Sequence, residues 1–307
     1  MKKDFLAISD VTRKDVLQIF QIAKELKEMP FSLTHVLENK SVILLFEKPS
    51  TRTRLSFQIG ITHLGGNPVH VDSSTTQLGR GETIADTARV MDRYAHGIIA
   101  RVFSHSSLEE MAGNFRGHVV NGLSDLHHPC QALADLFTIS EVFGGVEGKN
   151  IAFVGNGNNN VTHSLMMASA LLGANIAVAC PKSLFPDKSV FSWSVSLAGE
   201  TGAAVKIFTS PKKAVENVDV VYTDVWVSMG EEKKKGVRQR EKLLRPFQVN
   251  SALLKNASRN VIVMHCLPAH RGKEITSGVI DGEKSVVFDQ AENRLHVQKA
   301  LLLRLIS

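Results

Sequence analysis

Short apolar runs alternate with segments of helical period along most of this chain, and that alternation confines it to an α/β architecture with mostly parallel sheets. Helical spacing covers 11–29 through Val16, Leu17, Ile19, Phe20, Ile22, Ala23 and Leu26, and stops before Pro30. A strand at 41–46 leads into a helix that runs to about 64. Strands at 69–71, 97–102 and, more weakly, 119–120 follow, and a long helix at 129–143 opens on a proline, a favoured first helical residue. The pattern restarts after Gly144-Gly145-Val146-Glu147-Gly148-Lys149, which is the expected domain junction. Beyond it the spacing predicts strands at 150–155, 175–180, 203–208, 218–223, 261–265 and 285–288. Helices are expected at 161–172, at 187–199 and from about 291 to 306.

In open parallel sheets, ligands gather beyond the carboxyl ends of the strands. Here almost every strand end carries polar side chains. Strand 41–46 is followed by Glu47-Lys48-Pro49-Ser50-Thr51-Arg52-Thr53-Arg54, which sets three hydroxyls and two guanidiniums at a helix start. Unpaired N–H groups and the helix dipole favour an anion there, and arginine grips phosphate oxygens in pairs. The segment reads as a phosphate cradle, with a plain Ser/Thr cap beside solvated arginines as the alternative. Arg101 ends an apolar strand, where it serves either a ligand or a structural ion pair. His127-His128-Pro129-Cys130-Gln131 offers an imidazole and an amide one turn apart, or a helix cap. Cys266, beside His265 and near His270, is either a small buried hydrophobe or a nucleophile.

Composition narrows the function classes. Net charge is +6 over 307 residues, without a basic tail or an aromatic-interleaved face, so nucleic acid is a poor partner. Hydrophobic residues at 43% with 21% charged suit a substantial core, and no apolar run is long enough to span a bilayer. Cys130, Cys180 and Cys266 are few, odd in number and unpaired in spacing, which predicts a reducing, cytoplasmic setting. No His/Cys/Asp/Glu spacing suggests a metal site. Gly155-Asn156-Gly157-Asn158-Asn159-Asn160 lacks the third glycine of a dinucleotide fingerprint and a placed acidic partner. The expectation is therefore no cofactor, no metal and no membrane.

Together, Ser50-Thr51-Arg52-Thr53-Arg54, Arg101, His128-Pro129-Cys130-Gln131, Asp224-Val225-Trp226-Val227-Ser228-Met229-Gly230, His265-Cys266-Leu267-Pro268 and Ala291-Glu292-Asn293-Arg294 resemble the aspartate/ornithine transcarbamylase family, and within it the ornithine branch. The resemblance runs from near the N-terminus to the last helix. It implies residues 1–143 plus 290–307 as a carbamoyl-phosphate-binding domain, to which the C-terminal helix returns, and 144–289 as an ornithine-binding domain. It implies transfer of the carbamoyl group of carbamoyl phosphate to the δ-amine of L-ornithine, with putrescine or N-acetylornithine as alternative acceptors. A non-catalytic carbamoyl-phosphate sensor and a nicotinamide-dependent oxidoreductase are the rivals from other classes. Homotrimers with active sites between subunits are implied too.

By the same resemblance, Ser50, Thr51, Arg52 and Thr53 hold the phosphate, and Gln77 reaches a neighbouring subunit's site. Arg101 and His128 act at the carbonyl oxygen, Gln131 and the Leu267 carbonyl at the carbamoyl amide, and Arg294 completes that side. Cys266 meets the amine, Asp224 pairs with the α-ammonium, and Asn160 with Ser228 and Met229 holds the carboxylate. Arg101, His128, Cys266 and Asp224 form the catalytic group. The family's Gly-Asp after strand 150–155 is Gly155-Asn156 here, and Asn159 competes with Asn160 for the substrate contact.

Overall fold

The computed structural model describes residues 1–227 and 236–306. The chain divides into two compact units, Met1–Ala134 with Glu292–Ser307, and Asp135–Ala291. The division falls inside a helix, upstream of the glycine-rich loop 144–149 that marks the junction in the sequence.

The first unit is built on four parallel strands in the order β2-β1-β3-β4: β1 (Ser41–Phe46), β2 (Asn67–Asp72), β3 (Gly97–Arg101) and β4 (His118–Leu123). β1 and β3 are buried along nearly their whole length, as parallel strands covered on both faces must be. β2 is the edge strand; it alternates in burial and tolerates Pro68, which has no N–H for a second neighbour. The helices are α1 (Arg13–Glu28), α2 (Thr51–His63), α3 (Ile84–Met91), α4 (His105–Gly113) and α5 (Pro129–Phe143). α1 starts at Thr12, whose hydroxyl accepts from Asp15 N–H while the Asp15 carboxylate accepts from Thr12 N–H. Its buried face is Val16, Ile19, Phe20, Ala23 and Leu26; of the residues in the predicted spacing, Leu17 is exposed and Ile22 half-buried, at the edge of that face. Ile43, Leu45, Ile98, Ala100 and Val119 meet Ala88, Leu108 and Met111 in one core. Leu44→Ala, on the fully buried middle of β1, should cost about 2–5 kcal/mol and lower the urea midpoint of the first unit accordingly.

The second unit carries five parallel strands in the order β7-β6-β5-β8-β9: β5 (Asn150–Val154), β6 (Asn175–Ala179), β7 (Val205–Phe208), β8 (Val220–Tyr222) and β9 (Ile262–Met264). Its helices are α6 (Asn160–Leu172), α7 (Lys188–Thr201), α8 (Pro211–Ala214), α9 (Val237–Leu244), α10 (Ser251–Leu254) and α11 (Ser277–Ile280). Ala152, Val154, Val221 and Val263 pack with Trp226, Phe247, Val249 and Ile275. α12 (Val287–Ile306) closes the chain; Lys27 Nζ donates to Asn293 Oδ1 at 2.8 Å and Lys299 Nζ to the Pro30 carbonyl at 2.6 Å, which tie it to the first unit.

One expected strand is absent. At 285–288 the chain makes a single bridge, Ser285 to Val263, and then enters α12 at Val287. The run Val286-Val287-Phe288 is too short for periodicity to separate strand from helix, and Asp289 in the first turn suits the positive helix end. No helix among the described residues is long and apolar enough to cross a membrane.

Candidate active site

Each sheet has one place where strand addition changes direction. β1 has β2 on one side and β3 on the other; β5 has β6 on one side and β8 on the other. A crevice opens at the carboxyl ends of two such strands, since the connections that follow them leave towards opposite faces. In the first unit those ends deliver the 47–54 segment and Arg101; in the second they deliver 155–160 and Asp224.

In the first unit, Ser50 caps α2, its hydroxyl accepting from Thr53 N–H at 3.2 Å. The first N–H groups of the thirteen-residue helix lie beyond that cap, as an anion site requires. The capping alternative is therefore realised at Ser50. Arg101 is 3% exposed and sits at an irregularity in the β3–β4 register, where a bulge re-aims a side chain. Its Nη1 donates to Thr53 Oγ1 at 3.4 Å. Arg294, from α12, donates to the same oxygen at 3.2 Å and to Gln131 Oε1 at 2.5 Å. A buried hydroxyl that accepts from two guanidiniums stands in a locally positive field, which suits an anion. Gly122 permits the packing; a Cβ there would stand 3.3 Å from Thr53 Cγ2 and 3.2 Å from the Ala100 carbonyl oxygen.

His128 is buried at the start of α5. Burial, then the charges of Arg294, Arg101 and Arg52, hold its pKa well below the ordinary imidazole value. It is neutral at pH 7 and can donate one hydrogen bond without adding charge. Ser124 shapes the turn before it, its hydroxyl accepting from His127 N–H at 3.2 Å. Burial pushes the Cys130 thiol up to about 12, so that cysteine is an inert core residue.

In the second unit, Cys266 Sγ donates to Asp224 Oδ1 at 3.1 Å. Burial raises the Asp224 pKa against the lowering effects of His265 and the Cys266 thiol. The sequence left Cys266 open between a small buried hydrophobe and a nucleophile paired with His265 or His270; the thiol is half-buried and donates to a carboxylate. His265 Nδ1 accepts from Leu267 N–H at 2.9 Å, so its proton sits on Nε2, which faces Glu274 Oε1 at 3.3 Å. Burial pushes Glu274 up, but hydrogen bonds from His265 and from His270 N–H outweigh it and hold the carboxyl below its usual range. Leu267 adopts a left-handed backbone, φ 57°, which is rare for a branched residue and clusters at functional turns. Asp224, His265 and Cys266 bring three ligand-type atoms within 4.8 Å of one another, a proximity that sequence spacing did not reveal. A cation there would compete with the hydrogen bonds just described.

Asn159 and Asn160 occupy different places at the start of α6. Asn159 is the cap of α6, its Oδ1 accepting from Thr162 N–H at 2.7 Å and from Thr162 Oγ1 at 2.9 Å. Asn160, half-buried, is the first helical residue. Gly157 is a packing residue, since a Cβ would lie 2.5 Å from Cys180 Sγ. Gln77 is exposed in the turn Gln77–Arg80 after β2. Ser228 and Met229 lie outside the described residues. Gly122, Ser124 and Glu274 were not expected: Gly122 matters through Thr53, far back in the chain, while Ser124 and Glu274 bond His127, His265 and His270 within nine residues, in loops that carry no periodic pattern.

Comparison with known proteins identifies the family. Residues 3–141 match the carbamoyl-P binding domain, and residues 147–305 the Asp/Orn binding domain, of aspartate/ornithine carbamoyltransferase. The chain is 50% identical over 302 residues to an ornithine carbamoyltransferase of Thermococcus kodakarensis, covering 98% of this chain and 95% of that one. Its fold matches the solved ornithine carbamoyltransferase of Pyrococcus furiosus with a TM-score of 0.94 at 48% identity, over 99% of this chain and 96% of the other. The anabolic enzyme of Campylobacter jejuni matches with a TM-score of 0.92 at 37% identity, over 99% of both chains. The chain therefore belongs to the aspartate/ornithine carbamoyltransferase family.

Proposed function

We propose that this protein transfers the carbamoyl group of carbamoyl phosphate to the δ-amine of L-ornithine, giving L-citrulline and phosphate. The observation that carries the reading is the pairing of chemistries. One unit gathers Arg101, Arg294 and a neutral His128 around the helix start at Ser50; the other sets the Asp224 carboxylate against the Cys266 thiol.

In this reading Ser50, Thr51, Arg52 and Thr53 hold the phosphate oxygens. Arg101 and His128 donate to the carbonyl oxygen, which becomes an oxyanion as the amine adds. Gln131, oriented by Arg294, and the Leu267 carbonyl take the carbamoyl NH₂. Asp224 pairs with the α-ammonium, Asn160 and the Ser228-Met229 segment hold the carboxylate, and Cys266 orients the δ-amine. A new C–N bond forms and the C–O bond to phosphorus-bound oxygen breaks. The amine's surplus proton leaves with the phosphate, which is basic enough to accept it. Fixed guanidiniums lower the barrier because they need no reorganisation when the charge appears. The reading includes a cytoplasmic homotrimer in which Gln77 serves a neighbouring subunit's site.

The test is a citrulline assay on purified protein with carbamoyl phosphate and an acceptor panel. Ornithine is expected to react; N-acetylornithine should fail because acetylation removes the α-ammonium that Asp224 would pair with, and putrescine because it lacks the α-carboxylate that Asn160 and the Ser228-Met229 segment would hold. No citrulline above the enzyme-free control would refute the reading.

A further inference from the structure

β9 ends its ladder at Met264, opposite Tyr222, and the next residues are those that carry chemistry. His265 N–H is the first backbone donor beyond the sheet, and the residue is fully buried. A donor in that position needs an acceptor supplied from elsewhere. Gln290 supplies it: its Oε1 accepts from His265 N–H at 2.9 Å. The other end of the same amide donates to Asp135 Oδ1 at 2.7 Å and to the Tyr222 hydroxyl at 3.1 Å. Tyr222 also hydrogen-bonds Asp135. Asp135, Tyr222, His265 and Gln290 are all 0% exposed. The amide has one workable orientation, since a flipped one would set NH₂ against an N–H and oxygen against a carboxylate. Four elements, α5, β8, the end of β9 and α12, are thereby locked at the residue before Cys266.

We infer that Gln290 is the positioning residue for the Cys266–Leu267 turn, holding His265 by its N–H so that the thiol meets Asp224 and the Leu267 carbonyl stays available to substrate. The bonds that anchor this turn include Gln290 on His265 N–H, His265 Nδ1 on Leu267 N–H, and Asp224 on Cys266 Sγ. The first of them comes from α12. For its kinetic consequence the inference rests on the ornithine reading above.

The experiment compares the parent with Gln290→Met, Gln290→Glu and the swap Asp135→Asn/Gln290→Glu. Two readouts are taken: steady-state kinetics for each substrate, and the rate of iodoacetamide alkylation at Cys266, followed by peptide mass. Cys130 and Cys180 are buried, so the half-buried Cys266 is the accessible thiol. Gln290→Met removes the acceptor. Gln290→Glu keeps it but sets a second carboxyl group against Asp135, and the swap restores one amide and one carboxylate in the same volume. Both single variants should lower kcat/KM for ornithine at least about tenfold, with KM for carbamoyl phosphate within about twofold, and change the alkylation rate at least about threefold. The swap should recover both readouts to within about threefold of the parent. Alkylation unchanged in both single variants overturns the inference, as does a swap that recovers nothing. If Gln290→Met does not fold, Gln290→Glu and the swap carry the comparison. A parent that makes no citrulline refutes the substrate reading alone, and the alkylation rates still decide the positioning.

Discussion

Arg101→Lys lowers kcat for citrulline formation by about a hundredfold or more, although the positive charge is retained. The guanidinium donates to Thr53 through one nitrogen and presents its donors in a rigid planar fork. An ammonium is a compact point charge on a flexible stem. It cannot hold Thr53 and aim a second donor at the carbonyl oxygen from a side chain that is 97% buried, at the end of a strand. The loss falls mainly on kcat, because the interaction with the oxygen strengthens as the carbonyl gains negative charge. The measurement is kcat at saturating ornithine over a range of carbamoyl phosphate, with the unfolding midpoint as a control on the fold. A kcat within about threefold of the parent would remove Arg101 from the oxyanion role.

Asp224→Asn produces the second large effect, and it falls on the other substrate. Losing a charge-assisted contact to an ammonium costs about 2–3 kcal/mol, which is roughly 30–150-fold in kcat/KM for ornithine. The KM for carbamoyl phosphate stays near the parent value. The pH dependence gives a second check. Burial raises the Asp224 pKa, so the carboxyl group takes up its proton at a higher pH than an ordinary aspartate. Only the ionised form pairs with an ammonium, so kcat/KM for ornithine falls as pH drops through that raised pKa. The asparagine variant lacks this acid limb. The linkage to stability has the opposite sign: a carboxyl with a raised native pKa binds protons more tightly folded than unfolded, and its ionisation destabilises the fold as pH rises. Asp224→Asn should therefore unfold at a higher midpoint than the parent at neutral pH while catalysing far less. A variant with parent-like ornithine kinetics and an unchanged acid limb would exclude the assignment.

Several features were legible from neighbours in the chain. The Thr12-to-Asp15 cap, the apolar face of α1, Pro129 at the start of α5 and the hydroxyl-rich start of α2 all depend on residues within four positions of one another. Others were not. Asn159 and Asn160 look equivalent in a run of three asparagines until the cap assigns Asn159 to Thr162. For Cys266 the sequence left a small buried hydrophobe and a nucleophile both open; in the structure the thiol donates to Asp224, and the His265 ring bonds Leu267 N–H and faces Glu274. The 285–288 run had strand composition but too few residues to show a period, and helix won.

Taken alone, the chain of residues determined the alternation of strands and helices, the polar chemistry waiting at each strand end, and the family. These are local properties, written in periods, caps and short strings. Only the tertiary structure decided which of those strand ends share a crevice, because strand order depends on pairings between distant segments. Thr53 receives Arg101 from 48 residues away and Arg294 from 241 residues away, and Gln290 reaches Asp135 across 155. No window of neighbouring residues contains those separations; they arise where strand pairing and the packing of the last helix bring distant segments together.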